Sequence, residues 1–158
     1  MIPLAPLLTQ IKENLEQLSE VLLRERSALA TATPDDILQL ASEKKTLLDN
    51  IDTANAKRHS MLIKFGILDH KNPSDAQFLV WLDEQPNMSD IKALVEECNT
   101  LLDQCKRENN TNARILATLQ KRNKTLFEML QGHNRKNKVY TSNGNTRPIS
   151  SKHTIGRA

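Results

Sequence analysis

Aromatic residues and glycine are scarce in this chain of 158 residues. Phe, Trp and Tyr together make up 3% of it, and there are four glycines. Leucine is the most frequent residue, and Glu, Lys, Gln and Asn are all well represented, which is a composition typical of long helices and not of sheets. The sequence therefore predicts an all-α fold.

Long apolar runs are also missing. No stretch approaches the roughly 18 apolar residues of a membrane span, and the N-terminus lacks the basic start and unbroken apolar run of a signal peptide. We therefore expect a cytoplasmic protein with no membrane insertion. The two cysteines, Cys98 and Cys105, lie seven residues apart on one predicted helix, about 10 Å, which is too far for a disulfide between them.

The chain carries no recognisable catalytic pattern. Its histidines are scattered without the spacing of a metal site: they are His59, His70, His133 and His153. There is no phosphate-binding glycine loop and no serine in a nucleophile elbow. The cysteines at apolar positions are interpreted as small hydrophobic residues rather than reactive thiols. The sequence predicts neither an enzyme nor a bound metal or cofactor.

Apolar residues recur every three or four positions, as on one side of a helix. The first such stripe predicts a helix over residues 3–31. Thr33 then suits an N-cap and Pro34 the first helical position, so a second helix begins there. The second stripe continues until Gly66, which is expected to end this helix.

A short helix is predicted over the segment DAQFLVWLDEQ, because Ser74 and Gln77 have the spacing of a capping box. Pro86 is expected to end it. The apolar cluster of residues 78–82 contains the single tryptophan. We interpret this cluster as a plug that covers one end of a bundle, with a binding pocket as the less favoured alternative.

The longest stripe predicts a helix from Asn87 or Ser89 to about Gln131, with Gly132 as its stop. Asn109 and Asn112 occupy seam positions of this stripe, where asparagine either pairs within a bundle or leaves the seam open. We favour pairing. The predicted fold is an elongated antiparallel helical bundle or coiled coil of three long helices plus one short helix.

Charge divides the chain into a body and a tail. Residues 133–158 hold six of the 22 basic residues and no acidic ones, which leaves 16 basic against 19 acidic residues in the body. We predict a helical domain over residues 1–132 and a flexible, disordered basic tail over 133–158. The acidic body argues against nucleic-acid binding, although a basic tail alone could meet acidic partners.

Three blocks of sequence follow one another along the chain. They are LLRERSALATATPDDILQLASEKKTLLDNID, then ECNTLLDQCKRENNTNARILATLQ with Asn109 and Asn112, and then VYTSNGNTR with Tyr140 and Gly144. In this order, the three blocks resemble the FlgN family of flagellar export chaperones. The cluster FLVWLDEQP does not match the family pattern.

The resemblance implies a cytoplasmic chaperone that binds hook-associated proteins, which form the hook-filament junction, before their export through the flagellar type III apparatus. It also implies that the C-terminal helix and tail contact the substrate. The residues nominated for this contact are Leu116, Leu119, Leu126, Met129 and Leu130. Tyr140 is nominated for docking at the export gate.

Other interpretations stay open from the sequence. The face from Leu116 to Leu130 could be ordinary bundle packing, and it could be core in a free homodimer and interface in a complex. The tail could be a solvated terminus without function. The whole chain could be a structural coiled-coil protein, which would form a stable oligomer without affinity for a secreted partner.

Overall fold

In a computed structural model, the backbone of residues 2–31 and 33–138 and the side chains through Gly132 are described. This part of the chain forms helices and no strands, which confirms three long helices and one short one. Their bounds are α1 Leu4–Thr31, α2 Pro34–Lys64, α3 Asp75–Asp83 and α4 Ser89–Lys138.

Helices α1 and α2 form an antiparallel hairpin. Pro34 occupies the start of α2, and Asp35 and Asp36 lie in its first turn, where carboxylates favour the positive end of the helix dipole. Thr33 is the N-cap residue of α2, as predicted. Its backbone is extended, but its side chain makes no cap hydrogen bond; the hydroxyl lies 3.3 Å from that of Thr31.

Helix α2 ends just before a glycine in the left-handed conformation. Gly66 adopts a positive φ of 71°, a conformation that glycine enters without a side-chain penalty. The backbone amides of Ile67 and Leu68 then donate to the Leu62 carbonyl oxygen. Gly66 thus turns the chain away from α2, as predicted.

Helix α3 begins with the predicted capping box. The Ser74 hydroxyl accepts a hydrogen bond from the Gln77 amide, and the Gln77 side chain accepts one from the Ser74 amide. The helix packs Phe78 and Leu82 against Leu4 and Leu8 of α1. Leu62 near the end of α2 and Val95 near the start of α4 belong to the same apolar cluster. Phe78 and Leu82 therefore cover one end of the bundle, as predicted, whereas Leu79 and Val80 of the cluster 78–82 are exposed.

Arg58 connects α2 to the start of α3 through side-chain contacts. Its side chain is buried and lies over the Phe78 ring, 5.5 Å from the centroid. The guanidinium donates to Asp75 Oδ1 at 2.8 Å and to Asn55 Oδ1 at 2.9 Å. The aliphatic stem of Arg58 thus packs on the apolar seam, and its charged head is buried and paired as well.

Helix α4 runs parallel to α1 with one constant register. The Cys98 thiol donates to the Leu8 carbonyl oxygen and the Cys105 thiol to that of Leu15, and each contact joins residues 90 positions apart. Both thiols are free and buried, in agreement with the expectation of no disulfide. Successive contacts seven residues apart on both helices are typical of a heptad seam.

The predicted end of the last helix is wrong. Helix α4 continues through Gly132 to Lys138. A glycine stops a helix by adopting a positive φ, and Gly132 does not do so. A glycine inside a helix costs about 1 kcal/mol relative to alanine, which a long helix tolerates.

The chain divides into two compact units, Met1–Leu116 and Ala117–Ala158. The first unit contains the apolar core. One part of this core joins buried residues of α1 and α2 with Cys98 and Cys105 of α4. The other part is the cluster around α3.

Candidate partner-binding surfaces

The second unit presents apolar side chains to solvent. Every residue from Gln120 to Gly132 is exposed, and Leu126 and Leu130 are 55% and 66% exposed. Exposed leucines that share one side of a helix are unusual unless a partner covers them. We call the residues Leu119, Arg122, Leu126, Phe127, Met129 and Leu130 the α4 face.

Four of the five residues predicted for substrate contact belong to this face. Leu119, Leu126 and Leu130 are separated by seven and four positions, a spacing that aligns side chains along a helix. Met129, three positions after Leu126, borders them. Leu119 is half-buried and Met129 is exposed. The fifth, Leu116, is the last residue of the first unit and is also exposed.

Two residues of the α4 face were not anticipated from the sequence. Phe127 is exposed. It falls outside the apolar repeat of three and four positions, so the periodicity does not predict it as a contact residue. Arg122 lies four positions before Leu126 and therefore on its side of the helix. It is exposed and makes no ion pair with any described residue. The spacing of four positions between Arg122 and Leu126 could have predicted from the sequence that Arg122 lies on this face.

Tyr140, the residue nominated for gate docking, lies outside the described residues, as do residues 139–158 of the predicted tail.

A groove in the first unit offers a second apolar surface. It has a volume of about 350 Å³ and is formed by all four helices. Its apolar lining consists of Leu8, Ile11, Leu15, Ile51, Phe78, Leu79, Val95, Cys98 and Leu102. Leu79 and Leu102 are exposed at its edge. We call this cavity the α2–α4 groove.

Carboxylates give the α2–α4 groove a negative edge. Its charged lining residues are Asp52, Arg58 and Asp75. The Arg58 guanidinium is buried and paired with Asp75, whose side chain remains 69% exposed. Asp52 is exposed and makes no ion pair or hydrogen bond with the described residues. The charge that a partner meets at this edge is therefore negative.

The thiol in the groove is not an activated nucleophile. Burial, followed by the charge of the Glu97 carboxylate, raises the pKa of Cys98 above the ordinary value of 9.0. Burial likewise raises the pKa of Cys105. Nucleophilic cysteines need a lowered pKa, so both residues serve as buried packing groups.

Of the two seam asparagines, only Asn112 is buried. It is 1% exposed, and its Nδ2 donates to the Leu22 carbonyl oxygen at 2.8 Å and to Glu25 Oε1 at 3.0 Å. Its Oδ1 accepts a hydrogen bond from Arg26 Nε at 3.1 Å. The prediction of pairing is confirmed for Asn112. It is wrong for Asn109, which is exposed, because the seam continues from Cys105 to Asn112 in a single step of seven.

No helix in the described part of the chain combines the length and the apolar character of a membrane span. The described side chains also contain no cluster of three or more His, Cys, Asp or Glu residues that could hold a metal ion.

Comparison with known families decides among the interpretations of this helical chain. The family model described as "FlgN protein" matches residues 2–148. The chain belongs to the FlgN family. The matched range includes the segment FLVWLDEQP and Tyr140. No curated protein and no solved structure matches the chain.

Membership of this family supports a general role as a flagellar export chaperone. FlgN is a family of chaperones and not of enzymes, and its members bind flagellar proteins. The suspected resemblance is thereby confirmed.

Proposed function

We propose that this FlgN-family protein is a cytoplasmic chaperone that binds hook-associated proteins, prevents their premature assembly and delivers them to the flagellar type III export gate. The observation that carries the proposal is the α4 face, on which Leu126 and Leu130 are exposed in the single chain. A protein that must mask another protein's apolar helix needs such a surface.

The α4 face suits the helical segments of an assembly protein. A subunit whose helices pair with neighbours after assembly exposes an apolar stripe beforehand. Leu126 and Leu130 can cover that stripe in a helix-against-helix arrangement. Burial of apolar surface contributes roughly 25 cal/mol per Å², so a few exposed leucines supply a substantial part of the affinity.

Charge adds selectivity to this contact. Arg122 stands beside Leu126 on the α4 face, and an unpaired guanidinium that is buried by a partner needs a carboxylate opposite it. We therefore expect the bound segment to be an amphipathic helix with an acidic residue next to its apolar stripe. Contacts of this kind form and break without nucleotide hydrolysis, which agrees with a chaperone that releases its cargo at the gate.

Residues 133–158 have a separate role in this proposal. They form a basic tail beyond the chaperone domain of residues 1–132, and Tyr140 is its anchor for docking at the export gate. A single aromatic side chain in polar sequence is a suitable anchor, because aromatic residues often dominate the binding energy of small interfaces.

The function is tested by following the self-assembly of a purified hook-associated protein by light scattering. An equimolar amount of the full chain should suppress assembly, and the variant Leu126→Glu/Leu130→Glu should not. The matched control is Leu38→Glu, which changes an exposed leucine of α2 that is 69% exposed. If the native chain leaves assembly unchanged, the chaperone proposal is wrong, and a structural coiled-coil role takes its place.

A further inference from the structure

The α2–α4 groove is an apolar cavity that the described residues of the first unit leave open. Its volume of about 350 Å³ compares with the roughly 150 Å³ of an apolar cavity that holds a benzene ring. More than one large apolar side chain can therefore enter. Leu79 and Leu102 extend the apolar surface to the exposed edge, which provides an area for the rest of a docked helix.

The charge at this edge restricts the occupant. Asp52 lacks a partner among the described residues, and Asp75 keeps most of its side chain in solvent. The only cationic group of the lining, Arg58, is buried and already paired. An occupant that brings a cation next to its apolar side chains is favoured over one that brings a carboxylate.

The chain itself contains a segment with these properties. Between Ala117 and Gly132 there are three basic residues, Lys121, Arg122 and Lys124, and a single acidic residue, Glu128. Arg122 shares the α4 face with Leu126 and Met129, so this face offers apolar side chains together with a cation. Two α4 faces brought together would oppose like charges, which disfavours direct pairing of one face with another.

We propose that the α2–α4 groove of one copy binds the α4 face of a second copy, with Leu126 and Met129 in the cavity and Arg122 paired with Asp52. This inference goes beyond the homodimer that the sequence left open, because it names the two surfaces that meet. It also gives the segment containing Leu79 a role in binding, beyond its role as the end of the bundle.

Self-association of this kind regulates access to the α4 face. A face that is docked in the groove of a second copy is covered, so the free chaperone does not expose its leucines to unrelated proteins. A hook-associated protein that binds the same face must displace the second copy. This competition rests on the proposed function, whereas the self-association does not.

Sedimentation velocity of the full chain over a concentration series tests the contact. The native chain should associate reversibly. Asp52→Lys and Arg122→Asp should each raise the dissociation constant for self-association at least about tenfold, because each places like charges opposite one another. The double variant Asp52→Lys/Arg122→Asp restores opposite charges and should recover most of the native affinity. Glu13→Lys is the matched control, because Glu13 is exposed and does not line the groove.

Three sedimentation results would overturn the inference. A native chain that stays monomeric at about 100 µM has no such contact. Self-association that is unchanged by both single reversals uses other surfaces. Two weakening single reversals without recovery in the double variant would show that Asp52 and Arg122 do not meet.

Titration of each variant with a hook-associated protein separates this inference from the proposed function. Asp52→Lys should bind that protein at least as tightly as the native chain, since it removes only the competing second copy. If Asp52→Lys instead loses this binding and keeps its self-association, the groove belongs to the flagellar partner and the inference is wrong.

Discussion

The side-chain amide of Asn112 donates a hydrogen bond to the backbone carbonyl of Leu22, 90 residues earlier in the chain, at 2.8 Å. The Cys98 and Cys105 thiols donate to the backbone carbonyls of Leu8 and Leu15, and each of these pairs is also 90 residues apart in the sequence. Helices α1 and α4 thus share one register over two heptads. Asn112 is the only strongly polar member of this series, and it also joins Glu25 and Arg26 of α1.

Asn112→Ala should lower the free energy of unfolding by roughly 1 to 3 kcal/mol. The substitution removes its hydrogen bonds and leaves the half-buried side chains of Glu25 and Arg26 without a partner they have in the native chain. The matched control is Asn109→Ala, an exposed neighbour, which should change stability by less than about 0.5 kcal/mol. Urea denaturation measures both. Equal effects at the two positions would contradict the assignment of Asn112 as the buried member of the pair.

The two asparagines show what the sequence could and could not predict. Periodicity placed both in the same stripe, because steps of three and four residues are all compatible with one side of a helix. Which of the two asparagines is buried depends on where the neighbouring helix α1 lies against α4. The thiol contacts to the α1 carbonyls indicate steps of seven on the seam, and Asn109 falls between two of these steps.

Arg58→Ala should destabilise the protein by roughly 1 to 3 kcal/mol. The change removes the side chain that covers the Phe78 ring, the hydrogen bond to Asp75 that joins α2 to α3, and the hydrogen bond to Asn55 within α2. Lys57→Ala, at the exposed neighbouring position, serves as the control and should be nearly neutral.

A double-mutant cycle of Arg58→Ala with Asp75→Ala should give a coupling energy below about 1 kcal/mol, since Asp75 is largely solvated. A larger coupling would mean that the ion pair, and not the packing of the arginine stem, holds α3 in place.

The buried thiols should make stability depend on pH in the alkaline range. Burial raises the pKa of Cys98 and Cys105 in the folded chain above the ordinary value of 9.0. Above that pH, the unfolded chain releases thiol protons that the folded chain retains. The free energy of unfolding therefore falls as pH rises from about 9 through the folded pKa.

Urea denaturation at pH 8 and pH 10 should show a larger loss for the native chain than for Cys98→Ala/Cys105→Ala. All other titrating groups are common to both proteins, so the difference isolates the thiols. Parallel pH dependence in the two proteins would show that the thiols are not protected in the folded state.

The positions of the helices could be predicted from the sequence, but the exposure of α4 could not. The capping box at Ser74 and the helix end near Gly66 depend only on residues close by in the sequence, so both could be predicted, and both are present in the structure. Burial of a leucine depends on whether another helix lies against it. The apolar stripe of α4 has the same rhythm at Val95, which is buried, and at Leu126, which is exposed. Sequence periodicity alone therefore gave core and interface as equal alternatives.

Tyr140→Ala should weaken binding of the substrate-loaded chaperone to the cytoplasmic part of the export gate by about tenfold or more, as expected for an aromatic anchor. Binding of the hook-associated protein itself should stay within about twofold of the native value. Surface plasmon resonance with the immobilised gate domain measures the first, and calorimetry the second. An unchanged affinity for the gate would show that Tyr140 does not take part in docking.

The most direct test of the chaperone surface is isothermal titration of the full chain with a purified hook-associated protein. We expect saturable binding that Leu126→Glu/Leu130→Glu weakens at least about 100-fold, because two central apolar contacts are replaced by charges. The matched control Leu38→Glu/Leu48→Glu, at exposed leucines of α2, should bind like the native chain. If the α4 variant binds within about threefold of the native chain, the α4 face is not the substrate surface and the central claim is contradicted.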